Sequence, residues 1–102
     1  MAVSFAAHLD AFLESLSAER GAAANTLAAY RRDLDDYAGF LAGAGRDVAS
    51  ATTADVRAWL ADLDARGMAT TTAARRLSAV RQCHQFLYAE GRRGDDPTVI
   101  VE

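Results

Sequence analysis

The sequence predicts an all-α fold, a compact four-helix domain. Apolar residues recur at intervals of three and four in four separate stretches, and glycines follow these stretches. No segment of useful length alternates between apolar and polar residues, as a β-strand would. At 102 residues, with 51% of them hydrophobic, the chain is long enough to bury one core without disulfides. The periodic stretches predict helices near residues 4–20, 25–43, 52–66 and 70–91.

The first two predicted helices each carry one apolar stripe and a candidate cap. Ser4 is the expected N-cap of the first helix, and Gly21 its stop. Its stripe consists of Phe5, Leu9, Phe12, Leu13 and Leu16. Asn25 or Thr26 is the expected N-cap of the second helix. The stripe there consists of Leu27, Tyr30, Leu34, Tyr37, Ala38 and Leu41.

The third and fourth predicted helices follow threonine-rich starts. Thr52 and Asp55 are spaced as in a capping box, and Trp59 is expected to be buried against the first or second helix. Thr70, Thr71 and Thr72 open the fourth helix. The apolar face of that helix is expected to hold Ala73, Leu77, Val80, His84, Leu87 and Tyr88. The opposite face holds Thr71, Arg75, Ser78, Ala79, Gln82 and Phe86, flanked by Arg76 and Arg81.

The basic charge is concentrated around the fourth helix. All eleven basic residues are arginines and the net charge is −3, which by itself argues mildly against nucleic-acid binding. Between residues 67 and 94, however, five arginines face a single acid, Glu90. Arginine suits guanine edges and phosphates, glutamine suits adenine, and a helix N-terminus suits a phosphate. The fourth helix is therefore a candidate for the DNA major groove, with an ordinary solvated face as the alternative.

The second helix has two adjacent arginines followed by aspartates. From composition alone, Arg31 and Arg32 are better interpreted as i,i+4 partners of Asp33, Asp35 and Asp36 than as DNA contacts. The aspartates themselves are interpreted as solvated helix surface rather than a metal cluster.

Other chemistry is excluded by residue type and spacing. Cys83 and His84 are adjacent on a helix and do not face each other, so they do not form a nucleophile–base pair. His8 and His84 lack ligand-type neighbours, and there is no glycine-rich phosphate loop. We expect no metal, no cofactor and no catalytic residue. The single cysteine and the lack of a long apolar run favour a cytoplasmic protein that does not enter a membrane.

Two blocks and a short ending resemble the Xer-type tyrosine recombinases of the phage-integrase family. Residues 25–34 (NTLAAYRRDL) resemble that family's first signature, and residues 74–81 (ARRLSAVR) its second. Residues 85–88 (QFLY) and 95–97 (DDP) are similar to its continuation and to the end of its first domain. The spacing between the blocks also fits. Cys83 and His84 depart from the pattern, since the family usually has large apolar residues there.

The resemblance implies a SAM-like core-binding domain over residues 1–91. Residues 92–102 would begin a linker to a C-terminal catalytic domain that this sequence lacks. In the family the second and fourth helices face the major groove, and Tyr30 would place its ring in the core and its hydroxyl near the DNA backbone. Together with the polar face of the fourth helix, this gives the expected DNA-contacting residues Asn25, Thr26, Tyr30, Arg31, Arg32, Thr71, Thr72, Arg75, Ser78, Arg81 and Gln82.

The leading hypothesis is therefore a DNA-binding N-terminal domain of a site-specific tyrosine recombinase. The domain would bind double-stranded recombination-site DNA as a monomer, without enzymatic activity of its own. Its other partners would be recombinase subunits, four of which act on paired sites. Two alternatives stay open: a helical protein-interaction module, and a regulator that binds recombination sites without cutting them.

Overall fold

Four helices make up the fold in the computed structural model, which describes residues 4–101. They are α1 (Phe5–Arg20), α2 (Ala24–Gly43), α3 (Thr53–Ala65) and α4 (Thr70–Ala89). No β-strand occurs in the described range, and every helix boundary lies within two residues of its predicted position. The predicted four-helix, all-α fold is confirmed.

Local caps at two helix starts agree with the sequence. The Ser4 side chain accepts a hydrogen bond from the Ala7 amide at 3.3 Å. At α3 the capping box is complete: the Asp55 amide donates to Thr52 Oγ1 at 3.1 Å, and the Thr52 amide donates to Asp55 Oδ2 at 2.8 Å. These bonds satisfy backbone N–H groups that the first turn of a helix leaves without partners.

The predicted cap of α2 is wrong. The N-cap is Ala23, which makes no side-chain cap bond, and Asn25 and Thr26 lie exposed in the first turn. Alanine has the highest helix propensity, so the alanines around position 23 extend the helix toward its N-terminus. The extension stops at Gly21, whose φ of 60° is the left-handed conformation that ends α1.

The core is centred where α2, α3 and α4 meet. Trp59 is fully buried and packs edge-on against Tyr37 of α2, with ring centroids 5.0 Å apart. The prediction for Trp59 is thus confirmed. Leu34 and Leu41 of α2 and Val80 of α4 are also fully buried. The core therefore joins all the long apolar stripes that the sequence predicts.

The buried face of α4 differs from the predicted one. Ala79 and Cys83 are buried, whereas the Tyr88 side chain, which was expected in the core, is 56% exposed. Because α4 contacts all three other helices, its buried arc is wider than a single stripe and is turned toward Ala79 and Cys83. His84, by contrast, is buried as predicted.

The C-terminal segment, residues 92–101, packs against the helices. The Arg93 side chain is only 7% exposed, and it donates hydrogen bonds to the backbone oxygens of Val48 and Ala51. Val101 is buried as part of the core. The segment is thus integrated into the domain, and its role as a linker stays a prediction. Within the described range, no helix has the length and apolarity that crossing a membrane requires.

Candidate nucleic-acid interface

A polar network connects α2 and α4 at the protein surface. Gln82 Nε2 donates hydrogen bonds to Tyr30 Oη at 3.1 Å and to Ser78 Oγ at 3.2 Å. Gln82 Oε1 accepts from Arg20 Nη1 at 2.9 Å. We call these four residues the polar network. Three of them were predicted as DNA contacts from two separate parts of the sequence, and the structure brings them together. Both N–H groups of Gln82 are used within the protein.

Arg20 belongs to this network but was not among the predicted residues. It lies at the C-terminal end of α1, where a basic side chain also suits the helix dipole. Nothing in its local pattern marks it, because its partner Gln82 is 62 residues away along the chain.

Tyr30 connects the network to the core. Its ring is half-buried and stacks nearly parallel to that of Phe12, with the centroids 6.5 Å apart. Its hydroxyl oxygen accepts the Gln82 bond at the surface. The ring is placed as expected, while contact of the hydroxyl with DNA stays a prediction.

Arg75 is held by a buried carboxylate on α2. Arg75 Nη2 lies 2.8 Å from Asp33 Oδ1 and Nε lies 3.3 Å from Oδ2, so the contact is bidentate. Asp33 is completely buried, whereas the Arg75 side chain is 47% exposed. The interpretation of Asp33 as solvated surface is wrong. It lies three residues after Tyr30 and four before Tyr37, on the side of α2 that meets α4.

A second arginine, Arg76, also contacts Asp33. Arg76 Nε lies 3.4 Å from Asp33 Oδ1, and Arg76 Nη1 lies 3.3 Å from Asp36 Oδ2. Only 20% of the Arg76 side chain is exposed. A buried carboxylate is costly unless it is paired and hydrogen-bonded, and the two arginines of α4 provide that pairing.

Asp36 connects α2 with α3. Its two carboxylate oxygens each accept a 2.9 Å hydrogen bond from Arg66, and one also accepts from Trp59 Nε1 at 3.0 Å. The hydrogen bonds from Arg66, helped by that from Trp59, lower the pKa of Asp36 to about 2 against the opposing effect of burial. Asp33 and Asp36 thus bind arginines of α4 and Arg66, the residue that follows α3. The predicted i,i+4 pairing of Arg31 and Arg32 with these aspartates is wrong.

The α2 arginines, Arg31 and Arg32, do not join the polar network. Arg31 Nη2 pairs with Asp10 Oδ1 of α1 at 3.1 Å, and both side chains are at least half exposed. Arg32 is exposed and has no hydrogen-bond or ion-pair partner anywhere in residues 4–101. Asn25 and Thr26 are exposed in the first turn of α2, five to seven residues before these arginines. Of the first block, only Tyr30 therefore joins the network.

The remaining predicted residues of α4 are divided between its start and its middle. Thr71 is exposed and Thr72 half-buried in the first turn. Arg81 is half-buried, and its Nη2 donates to the backbone oxygen of Val101. Arg81 therefore holds the C-terminal segment in this structure, which is a different use from the predicted DNA contact.

Cys83 and His84 form no nucleophile–base pair. Burial raises the pKa of the Cys83 thiol to about 12, so this thiol stays protonated at neutral pH. The Nε2 atom of His84 lies 2.8 Å from Tyr37 Oη inside the core. Both side chains are structural.

Comparison with known proteins identifies the family. Residues 9–91 match the family described as "Phage integrase, N-terminal SAM-like domain". The chain is 54% identical over 96 residues to Tyrosine recombinase XerD of Agrobacterium fabrum. This alignment covers 94% of this chain and 29% of that protein. The chain is 53% identical over 97 residues to Tyrosine recombinase XerD of Rhizobium meliloti, with 95% and 31% covered. The corresponding protein of Caulobacter vibrioides is 52% identical over 89 residues, with 87% and 29% covered.

These alignments span nearly the whole described chain but less than a third of each curated relative. The matched family region starts inside α1 and ends just after α4, so it includes the polar network and nearly all of the core. This chain belongs to the phage integrase N-terminal SAM-like domain family.

Proposed function

We propose that this chain is the DNA-binding N-terminal domain of a site-specific tyrosine recombinase. The observation that carries the proposal is the polar network: residues from two separate sequence blocks meet on one surface of α2 and α4. The relatives with more than half of their aligned residues identical are tyrosine recombinases, which supports the same activity for the parent protein.

Arginines of α2 and α4 that lie outside the polar network also have a chemistry that suits a duplex. Arg32 has no acidic partner within residues 4–101, and Arg31 has only an exposed one that solvent screens. Such arginines are suited to phosphates, whose attraction is electrostatic and independent of sequence. Arg75 is held in a fixed bidentate geometry beside the network, and this order suits a base edge.

Cleavage and rejoining of DNA are assigned in this proposal to another part of the recombinase. The partners would be recombination-site DNA and further recombinase subunits, in the cytoplasm. A protein-interaction module or a non-cutting regulator would have the same fold. DNA-binding measurements distinguish the protein-interaction module from the proposal.

The test is a salt titration of duplex binding by the Arg32→Ala chain. Fluorescence anisotropy with a labelled random-sequence duplex, started at low salt, measures the affinity and its salt dependence. Loss of one phosphate contact should weaken binding to all sequences alike and lower the slope of log K against log salt by about one unit. Arg46→Ala is the matched control, because it removes the same charge from an exposed arginine that pairs with Asp55 near the start of α3. It should leave the slope unchanged.

Two results would contradict the proposal. One is the absence of duplex binding even at low salt, which would favour the protein-interaction module. The other is an equal decrease of the slope of log K against log salt in the Arg32→Ala and Arg46→Ala chains, which would show that binding follows net charge and not the position of the arginine on α2.

A further inference from the structure

We propose that Asp33 is a positioning residue that holds Arg75 for recognition of a base with two adjacent hydrogen-bond acceptors, such as guanine. This inference rests on the proposed function, since it assigns a specificity role within the same surface. The juxtaposition that carries it is a fully buried carboxylate on α2 bound in bidentate fashion to a half-exposed arginine on α4.

The ion pair uses only one edge of the guanidinium group. Asp33 accepts from Nε and Nη2 of Arg75, which is the side edge of the group. Nη1 and the second hydrogen of Nη2 have no partner in the part of the chain that the structure describes. These remaining N–H groups form the end edge, two parallel donors in a rigid plane.

That end edge suits a base better than a phosphate. Two parallel N–H donors match the O6 and N7 acceptors of guanine in the major groove. The negative charge of Asp33 offsets the positive charge of Arg75, which weakens the long-range attraction to phosphates but not the directional hydrogen bonds. Arg32, which has no acidic partner within residues 4–101, provides the contrasting case.

Arg76 explains why Asp33 is itself fixed. It forms ion pairs with Asp33 at 3.4 Å and with Asp36 at 3.3 Å while its own side chain is mostly buried, so its charge stabilises the Asp33 carboxylate from within the domain. Asp33 therefore pairs with two arginines, the mostly buried Arg76 and the half-exposed Arg75. With its torsions already fixed, Arg75 loses less conformational freedom when it binds a base.

The test compares base preference, which a merely structural role would not change. A pool of randomised duplexes is selected with the 102-residue chain, and the enriched duplex and its single-base-pair variants are then used as probes. Arg75→Ala should reduce the preference at one base pair by about 5- to 150-fold, the range for a bidentate contact. Asp33→Asn should reduce the preference at that same base pair, and the double variant should lose no more than Arg75→Ala alone.

Asp36→Asn is the matched control. It also removes an α2 carboxylate that binds arginines, yet Asp36 does not contact Arg75. This variant should keep the wild-type base preference. Circular dichroism at the assay temperature confirms that each variant is folded.

A second measurement does not depend on a folded Asp33 variant. In the wild-type chain, NMR should show a protected Arg75 Nε–H signal, and the signal should persist when the enriched duplex is added. Its loss in the complex would mean that the Asp33 contact breaks on binding, and would overturn the proposal. Wild-type base preference in a folded Asp33→Asn chain would do the same while leaving the proposed function intact. Failure of the wild-type chain to enrich any sequence, while it still binds duplex DNA at low salt, would overturn the positioning role alone. Absence of all duplex binding would overturn the proposed function and the positioning role with it.

Discussion

The hydroxyl of Tyr37 on α2 and Nε2 of His84 on α4 lie 2.8 Å apart in the centre of the bundle. Both side chains are completely buried, and the rings meet edge-on with centroids 5.7 Å apart. Nδ1 of His84 has no hydrogen-bond partner within the described residues. A protonated imidazole would be costly in this position, because burial disfavours the charged form.

Because His84 is buried in this pair, we expect the free energy of unfolding to decrease at acidic pH. Burial, helped by the charge of Arg93 and opposed by Asp96 and Asp95, lowers the pKa of His84 from 6.5 to about 4. Below pH 6.5 the unfolded chain therefore binds a proton that the folded chain does not. The corresponding stability is fully present above pH 6.5 and falls as the pH drops to 4, by about 3 kcal/mol for this shift. Urea unfolding between pH 7.5 and 4 measures the loss.

His84→Gln isolates this contribution from other titrating groups, such as His8, whose pKa burial also lowers. Glutamine can bond to Tyr37 but does not titrate in this range. The variant should lose clearly less stability than the wild type over the same pH interval. Identical pH profiles would show that His84 is not the group responsible.

Trp59 is predicted to be a major source of stability. Trp59→Ala should lower the free energy of unfolding by about 3–5 kcal/mol, because it empties a large, fully buried site. Trp59→Phe should cost less, since it keeps an aromatic ring in the site and removes only part of the packing together with the 3.0 Å hydrogen bond to Asp36. Tyr88→Ala, at an exposed aromatic residue, serves as the control and should change stability by less than about 0.5 kcal/mol. A loss under about 1 kcal/mol for Trp59→Ala would contradict the observed burial.

The C-terminal segment is predicted to stabilise the domain through Arg93. Arg93→Ala should lower the free energy of unfolding by about 2–4 kcal/mol, because the backbone oxygens of Val48 and Ala51 would lose their donor inside the protein. Hydrogen exchange should also become faster at the Val101 amide. Arg92→Ala removes the same charge from the neighbouring, exposed position, where the guanidinium lies 5.9 Å from the centroid of the Phe86 ring. Equal stability of the two variants would mean that the segment is not held by Arg93.

The sequence by itself determined the four helices and most of their limits. Apolar spacing of three and four residues is a local signal, and the caps at Ser4 and at Thr52 with Asp55 act over three residues. The family blocks also lie within single helices, at residues 25–34 and 74–81. Local patterns therefore sufficed for the fold class and for the helices that carry the candidate interface.

Only the tertiary structure decided which polar groups are buried and which arginines are exposed. Asp33 and Asp35 stand two residues apart in one acidic run, yet Asp33 is buried against α4 while Asp35 is exposed. The difference depends on where α4 crosses α2. Likewise, Arg75 and Arg81 are both arginines of α4, but their partners lie 42 and 20 residues away along the chain. Desolvation and ion pairing depend on distances in space, and those distances exist only once the helices have packed.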